Sequence, residues 1–233
     1  MLSGNLTKYD CDNKEFEGFI AYPKEEGDKI IILAHAWAGR DDFICEAAKK
    51  IASWGYIGFA WDLYGEGIVG KSPEENTRLK NVLLNDRELL KKRLVESYAQ
   101  AQRLKPTAKI GVMGFGFGGL CALDLMRCGV RLNAVVSVYG HFSPPGWKTS
   151  LLHPPKTLIL HGMNDKIEPI EKLREFSIEM NKLEVEWTAH LYGGTMHAFM
   201  NPQVNLPEQG LCYNGTSADA VWRDAKIFFD QNM

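Results

Sequence analysis

The stretch Lys109-Ile110-Gly111-Val112-Met113-Gly114-Phe115-Gly116-Phe117-Gly118-Gly119 decides the fold. An apolar run breaks into a glycine-dense turn, and a helical pattern resumes at Leu120-Cys121-Ala122-Leu123-Asp124-Leu125-Met126 and closes at Gly129. Strand, sharp turn and helix in that order predict a turn of the form G-x-Nuc-x-G, whose outer glycines are Gly114 and Gly118 and whose central residue stands exposed above a sheet. That central residue is Gly116, which has no side chain with which to attack a substrate. Gly114, Gly116 and Gly119 also fit the G-x-G-x-x-G of a dinucleotide loop. Such a loop opens the first strand–helix unit of its domain, with an acid about 20 residues further on, whereas this turn sits mid-chain.

Outward from the turn, strands and helices alternate, which predicts a mostly parallel sheet. Before it, Phe16 to Tyr22 reads as an edge strand, and Ile30 to Ala34 is apolar on both faces, as buried parallel strands are. A helix is expected from Asp41 to Trp54 and a further buried strand from Tyr56 to Trp61. Ser72-Pro73-Glu74-Glu75 marks a helix start with an N-cap serine, a proline at the first helical position and a glutamate three residues after the cap. Two helical segments are predicted to fill Pro73 to Leu104, with the region around 66–104 covering the carboxyl ends of the strands. After the turn come strands at Ala134–Val138, Thr157–Leu160 and Val185–Leu191, a helix from Pro169 to about Lys182, and a last helix from Ser217 to Phe229.

Composition bounds the function. The 233 residues, 45% hydrophobic and 24% charged, suffice for one α/β domain spanning 1–233. A formal net charge of -2 leaves no basic footprint for nucleic acid or an anionic membrane, so small molecules are the expected partners. Cys11, Cys45, Cys121, Cys128 and Cys212 show neither paired nor metal-type spacing, which suggests reduced thiols in a cytoplasm and no metal. Met1 to Asn5 lacks the pattern of a signal peptide, and no apolar run reaches the ~20 residues of a membrane span.

Two strand ends carry candidate chemistry. His161-Gly162-Met163-Asn164-Asp165 places Asp165 in a loop after one strand, and Tyr192-Gly193-Gly194-Thr195-Met196-His197 places His197 in a loop after the next. Position 116, acid 165 and histidine 197 follow the nucleophile, acid, base order of the α/β-hydrolase fold, a mostly parallel sheet with helices on both faces. His197 would shuttle a proton, and Asp165 would fix its tautomer. Asp62, which also ends a strand, competes as the acid, and Cys121 as a substitute nucleophile; the helix should turn Cys121 away from the strand ends and bury it. The backbone amides of Phe117 and Trp37 are the expected oxyanion donors. His35, Trp37, Trp61 and Tyr64, at strand ends, are expected to line the pocket.

The chain resembles the dienelactone hydrolase family from about residue 30 to the end. The resemblance rests on His35-x-Trp37-x-Gly39-Arg40-Asp41-x-Phe43, Asp62-Leu63-Tyr64-Gly65, Ser72-Pro73-Glu74-Glu75-Asn76, Met196-His197-Ala198-Phe199-x-Asn201-Pro202, and the late Tyr213-Asn214 to Trp222 segment. It implies an ester or lactone hydrolase that needs no cofactor, with the family's cysteine nucleophile at Gly116, its acid at Asp165 and its histidine at His197. Ala36 stands where members attacking dienelactones have a glutamate, and Glu66 and Asn201 where they have substrate-binding arginines. Ala36, Arg40 and Glu66 are accordingly expected in a pocket that suits dienelactone itself poorly. Three readings follow: a hydrolase whose cysteine has been replaced by Gly116, a non-catalytic small-molecule-binding pseudo-enzyme, or a hydrolase in which water takes the vacated thiol site.

Overall fold

The computed structural model describes residues 3–11 and 13–233; Met1 and Leu2, part of the segment expected to lack a leader, lie outside them. Ten strands and six helices follow in order: β1 (Gly4–Cys11), β2 (Lys14–Ala21), β3 (Lys29–Ala34), α1 (Asp42–Ser53), β4 (Ile57–Ala60), α2 (Pro73–Asn85), α3 (Arg87–Leu104), β5 (Lys109–Phe115), α4 (Phe117–Arg127), β6 (Ala134–Val138), β7 (Lys156–Gly162), α5 (Lys172–Lys182), β8 (Trp187–Tyr192), β9 (Asn205–Leu206), β10 (Leu211–Cys212) and α6 (Gly215–Asn232). Eight strands form one sheet in the order β1-β2-β4-β3-β5-β6-β7-β8. From β4 to β8 every pairing is parallel, while β1 and β2 join antiparallel at one side.

The doubly apolar strand pattern is explained by a core on each face. Ile30, Ile32 and Ala34 of β3 pack with residues of α2, α3, α4 and α5, whereas Ile31 and Leu33 pack with residues of α1 and α6. Successive side chains of a strand point to opposite faces, so a strand covered on both sides must be apolar at every position. The helix signals hold locally as well. Asp41 caps α1 by accepting from the Ile44 amide at 3.1 Å, and Ser72 caps α2 by accepting from the Glu75 amide at 3.2 Å.

Two expectations need correction. The strand over 16–22 is β2, and it is not the edge: β1, with polar residues on much of its length and no clear alternation, pairs along its full length and takes that place. Helix α3 does not cap the strand ends but lies on the sheet face against α4, β1 and β3, as the crossover from β4 to β5. At the strand ends α2 brings the Lys80 ammonium 6.0 Å from the centroid of the Trp37 ring, and α3 reaches the loop after β4 through Arg93, which donates to the Leu63 oxygen at 2.6 Å. The short β9–β10 hairpin was too brief to leave a periodic signal.

The central turn is held by close backbone contact. A Cβ on Gly118 would lie 2.1 Å from the Ala34 carbonyl oxygen, and one on Gly114 would lie 1.9 Å from the Gly118 oxygen. At Gly116 the constraint is conformational, since φ is 56° and ψ is -114°, while the space beside it is open to a Cβ at 3.4 Å from Tyr139. Gly118→Ala should therefore lower stability by about 3 kcal/mol or more through overpacking, roughly 6 to 12 °C in melting temperature for a chain of this size. Gly116→Ala carries only the backbone cost, on the order of 1 to 3 kcal/mol. Thermal melts of the two variants beside the parent should rank them in that order.

Candidate active site

The elbow closes in three backbone hydrogen bonds. The Gly116 amide donates to the Val138 oxygen at 3.0 Å, and the Gly116 oxygen accepts from Gly119 and Leu120 at 2.9 and 3.2 Å. The chain thus turns from β5 straight into α4, which leaves the Phe117 amide at the first helical position, where no acceptor exists within the helix.

The loop after β7 presents Asp165. Its Oδ1 accepts the amides of Ile167 and Glu168, each at 2.9 Å, which frees Oδ2 to accept from His197 Nδ1 at 2.7 Å. The Asp165 side chain is wholly buried and that of His197 nearly so. With Nδ1 committed as a donor, Nε2 of His197 is left to exchange a proton, and it lies 3.8 Å from the position of a Cβ at residue 116. A side chain at 116 would place its terminal atom within hydrogen-bonding reach of that nitrogen. The neighbouring strands β7 and β8, at one side of the sheet, thus bring a carboxylate and an imidazole to the mouth of the elbow.

His197 is held by elements that leave little sequence signal. Its amide donates to the Gly210 oxygen at 3.0 Å and its oxygen accepts from Cys212 at 3.2 Å, which ties the loop to the β9–β10 hairpin. Asn214 caps α6 through the Ser217 amide and donates to Thr195 Oγ1 at 3.3 Å, so the start of α6 braces the same loop. The Tyr213-Asn214 segment thus acts on His197 through the backbone.

The loop after β3 is fixed from below. Ala36 is half-buried, and its oxygen accepts from His35 Nδ1 at 2.7 Å and from the Gly39 amide at 3.3 Å. The C=O and N–H of a trans peptide point in opposite directions, so these contacts fix the direction of the Trp37 amide. Tyr64 donates its hydroxyl to the Trp37 oxygen at 2.8 Å, and its ring stacks on Phe117 at 6.4 Å. Trp37 itself is 38% exposed at the rim.

Several residues expected in the pocket are elsewhere. His35 is fully buried, with Nδ1 on Ala36 and Nε2 accepting from the Leu63 amide at 3.2 Å; it joins two loops and lines nothing. Trp61 and Tyr64 are likewise core residues. The Arg40 guanidinium is taken by Glu17, with Nη2 2.6 Å from Oε1 and Nε bonded to the Glu17 oxygen. Glu66 is exposed, at a positive φ of 57°, and its amide donates to Glu15. Asp62 spends both carboxylate oxygens on the amides of Glu17, Tyr64, Gly65 and Gly67 and faces no histidine at hydrogen-bonding distance. Cys121 is fully buried, and burial pushes its thiol well above the usual range.

Three neighbours of the elbow escaped sequence reasoning. Tyr139, at φ 37°, sets its ring against position 116 and 5.0 Å from the His197 ring. His141 lies 6.0 Å from His197 between ring centroids, and its Nδ1 is 2.9 Å from Oε2 of the buried Glu168. The available signal was position: Tyr139-Gly140-His141 follows a parallel strand of the sheet, as His197 does. Among the described residues no group of three or more His, Cys, Asp or Glu could hold a metal ion.

Elbow, acid loop and histidine loop at the ends of β5, β7 and β8 define an α/β hydrolase. The dienelactone hydrolase family model matches residues 16–233, and the chain belongs to that family. "Protein usf" of Aquifex pyrophilus is 23% identical over 238 residues, covering 99% of each chain. Among solved structures, m3DLH superposes with a TM-score of 0.88 at 23% identity over 100% of this chain and 99% of the other. A dienelactone hydrolase-like promiscuous phosphotriesterase from metagenomic libraries gives 0.88 at 21%, over 99% and 98%. At such identities the superpositions establish the fold.

Burial sets a pH limit on this scaffold. It lowers the pKa of His35, an effect that the bond to Ala36 and nearby Asp62 only partly offset, and it lowers that of His161, whose Nδ1 has no hydrogen-bond partner among the described residues. A depressed folded pKa means that below about 6.5 the unfolded chain binds protons the folded chain refuses. Stability from these two groups is present above that value and lost below it, at up to about 1.4 kcal/mol per pH unit for each. The melting temperature should fall from pH 7.5 to pH 5.5, and His161→Gln should flatten part of that fall.

Proposed function

We propose that the chain hydrolyses carboxylic esters or lactones, slowly, with the Asp165–His197 pair activating a water in the space left beside Gly116. The observation that carries this reading is the placement of His197 Nε2 at 3.8 Å from the 116 Cβ position, with Nδ1 on a buried carboxylate at 2.7 Å. An imidazole so oriented accepts a proton at Nε2 as the water attacks the acyl carbon, and Asp165 balances the imidazolium. The amides of Trp37 and Phe117 would receive the oxyanion. Neither role depends on a side chain at 116, so the scaffold can lower the barrier without a covalent intermediate. Loss of a nucleophile leaves a residual acceleration of about 10³ to 10⁴ over water in comparable enzymes.

Restoring a nucleophile should raise the rate sharply. Gly116→Cys is expected to hydrolyse p-nitrophenyl acetate at least about 100-fold faster than the parent, and adding His197→Ala should remove most of that gain. The parent should itself lose about 10-fold or more on His197→Ala. The missing side chain at 116 equally favours a second reading, a binding protein that has given up turnover. A parent rate unaffected by His197→Ala, in a protein that still binds small esters, would establish that second reading and remove the first.

A further inference from the structure

Beside the Asp165–His197 pair stands a second pair of the same construction. His141 Nδ1 is 2.9 Å from Glu168 Oε2, as His197 Nδ1 is 2.7 Å from Asp165 Oδ2. Both carboxylates are nearly free of solvent and come from a single turn, in which Asp165 Oδ1 accepts the Glu168 amide at 2.9 Å. Glu168 Oε1 accepts the Phe142 amide at 3.0 Å, which pins the residue next to His141. Lys172 Nζ is 3.0 Å from Glu168 Oε2, and His161 Nε2 donates to the Glu168 backbone oxygen at 2.8 Å. Burial alone would raise the Glu168 carboxyl, but bonds from His141, the Phe142 amide and Lys172 outweigh it and hold it down to about 2.

That arrangement is more than packing needs. A buried carboxylate on Nδ1 fixes one tautomer and leaves Nε2 as the nitrogen that exchanges a proton. Nε2 of His141 has no hydrogen-bond partner among the described residues, the ring is 22% exposed, and it faces the His197 ring at 6.0 Å with an interplanar angle of 31°. Strand order puts the β6 loop that carries His141 between the elbow and the acid loop.

We infer that His141, supported by Glu168, is the proton donor to the leaving-group oxygen, opposite His197 as the base. The inference rests on the hydrolase reading above. In the parent, a water O–H bond breaks, its proton goes to His197 Nε2, and the oxygen bonds to the acyl carbon. Collapse then breaks the bond from that carbon to the leaving oxygen, which takes the Nε2 proton of His141 in its imidazolium form, the Nδ1–H staying on Glu168, and departs as an alcohol, leaving a carboxylic acid. His197 has gained one proton and His141 has lost one, and exchange with solvent restores both. With a thiolate at 116 the leaving oxygen departs toward the same donor.

The test is leaving-group dependence, which a structural role would not change. A p-nitrophenolate departs without protonation and an ethoxide does not, so kcat/KM is compared for p-nitrophenyl acetate and ethyl acetate. His141→Gln should lower the ethyl ester rate on the order of 100-fold and the aryl ester rate less than about threefold, in the parent and in Gly116→Cys. Equal loss on both esters, or none, overturns the assignment. Melting temperatures of the variants identify any loss that comes from misfolding, and His141→Asn then serves as the second variant. If the parent shows no His197-dependent hydrolysis while Gly116→Cys shows the selective loss, the water mechanism fails and the role of His141 stands. If Gly116→Cys hydrolyses both esters and loses nothing selectively, His141 is not the donor, whatever the parent does.

Discussion

The contact between the Gly118 backbone and the end of β3 constrains everything above the sheet. With the Ala34 oxygen 2.1 Å from where a Cβ would sit, α4 can start directly behind β5 only if residue 118 has no side chain. That start holds residue 116 at φ 56° and brings position 116, the Phe117 amide and the β3 loop to one place. A side chain at 118 would push the helix outward and separate them. The elbow is thus a packing solution first, and its value for chemistry follows from the geometry that packing enforces.

The same economy explains why a glycine at 116 can leave the scaffold intact. Three backbone hydrogen bonds form the turn, none of which uses a side chain of residue 116. Glycine adopts positive φ at little steric cost, so residue 116 holds the elbow conformation without the strain a side chain would bring. Stability and activity commonly trade against each other at strained sites. The Asp165–His197 contact, at 2.7 Å, likewise uses no side chain of residue 116.

Polar burial organises the rest of the site. His35, Asp62 and Tyr64 look like pocket residues because they end strands, yet each is consumed by backbone groups of adjacent loops. Buried amides and carbonyls need partners, and short loops between parallel strands cannot pair all of theirs internally. Side chains at strand ends are the nearest supply. Glu168 serves a similar purpose through the Phe142 amide, but it also faces a half-open histidine, and this separates it from the purely structural cases.

The sequence by itself determined the parallel strands β3 to β8, the helices on both faces, the elbow at 114–118 and the order of 116, 165 and 197. These are local or periodic properties: apolar runs two-sided enough to be buried, a glycine-dense turn in mid-chain between strand and helix, and caps written within four residues. The tertiary structure alone decided which polar residues face the elbow. Asp62 and Asp165 both end strands, and only the folding of β7 beside β8 puts one of them on His197. Arg40 met Glu17 across 23 residues, and His141 met Glu168 across 27. Such pairings depend on loop paths across neighbouring strands, and no periodicity in the chain encodes them.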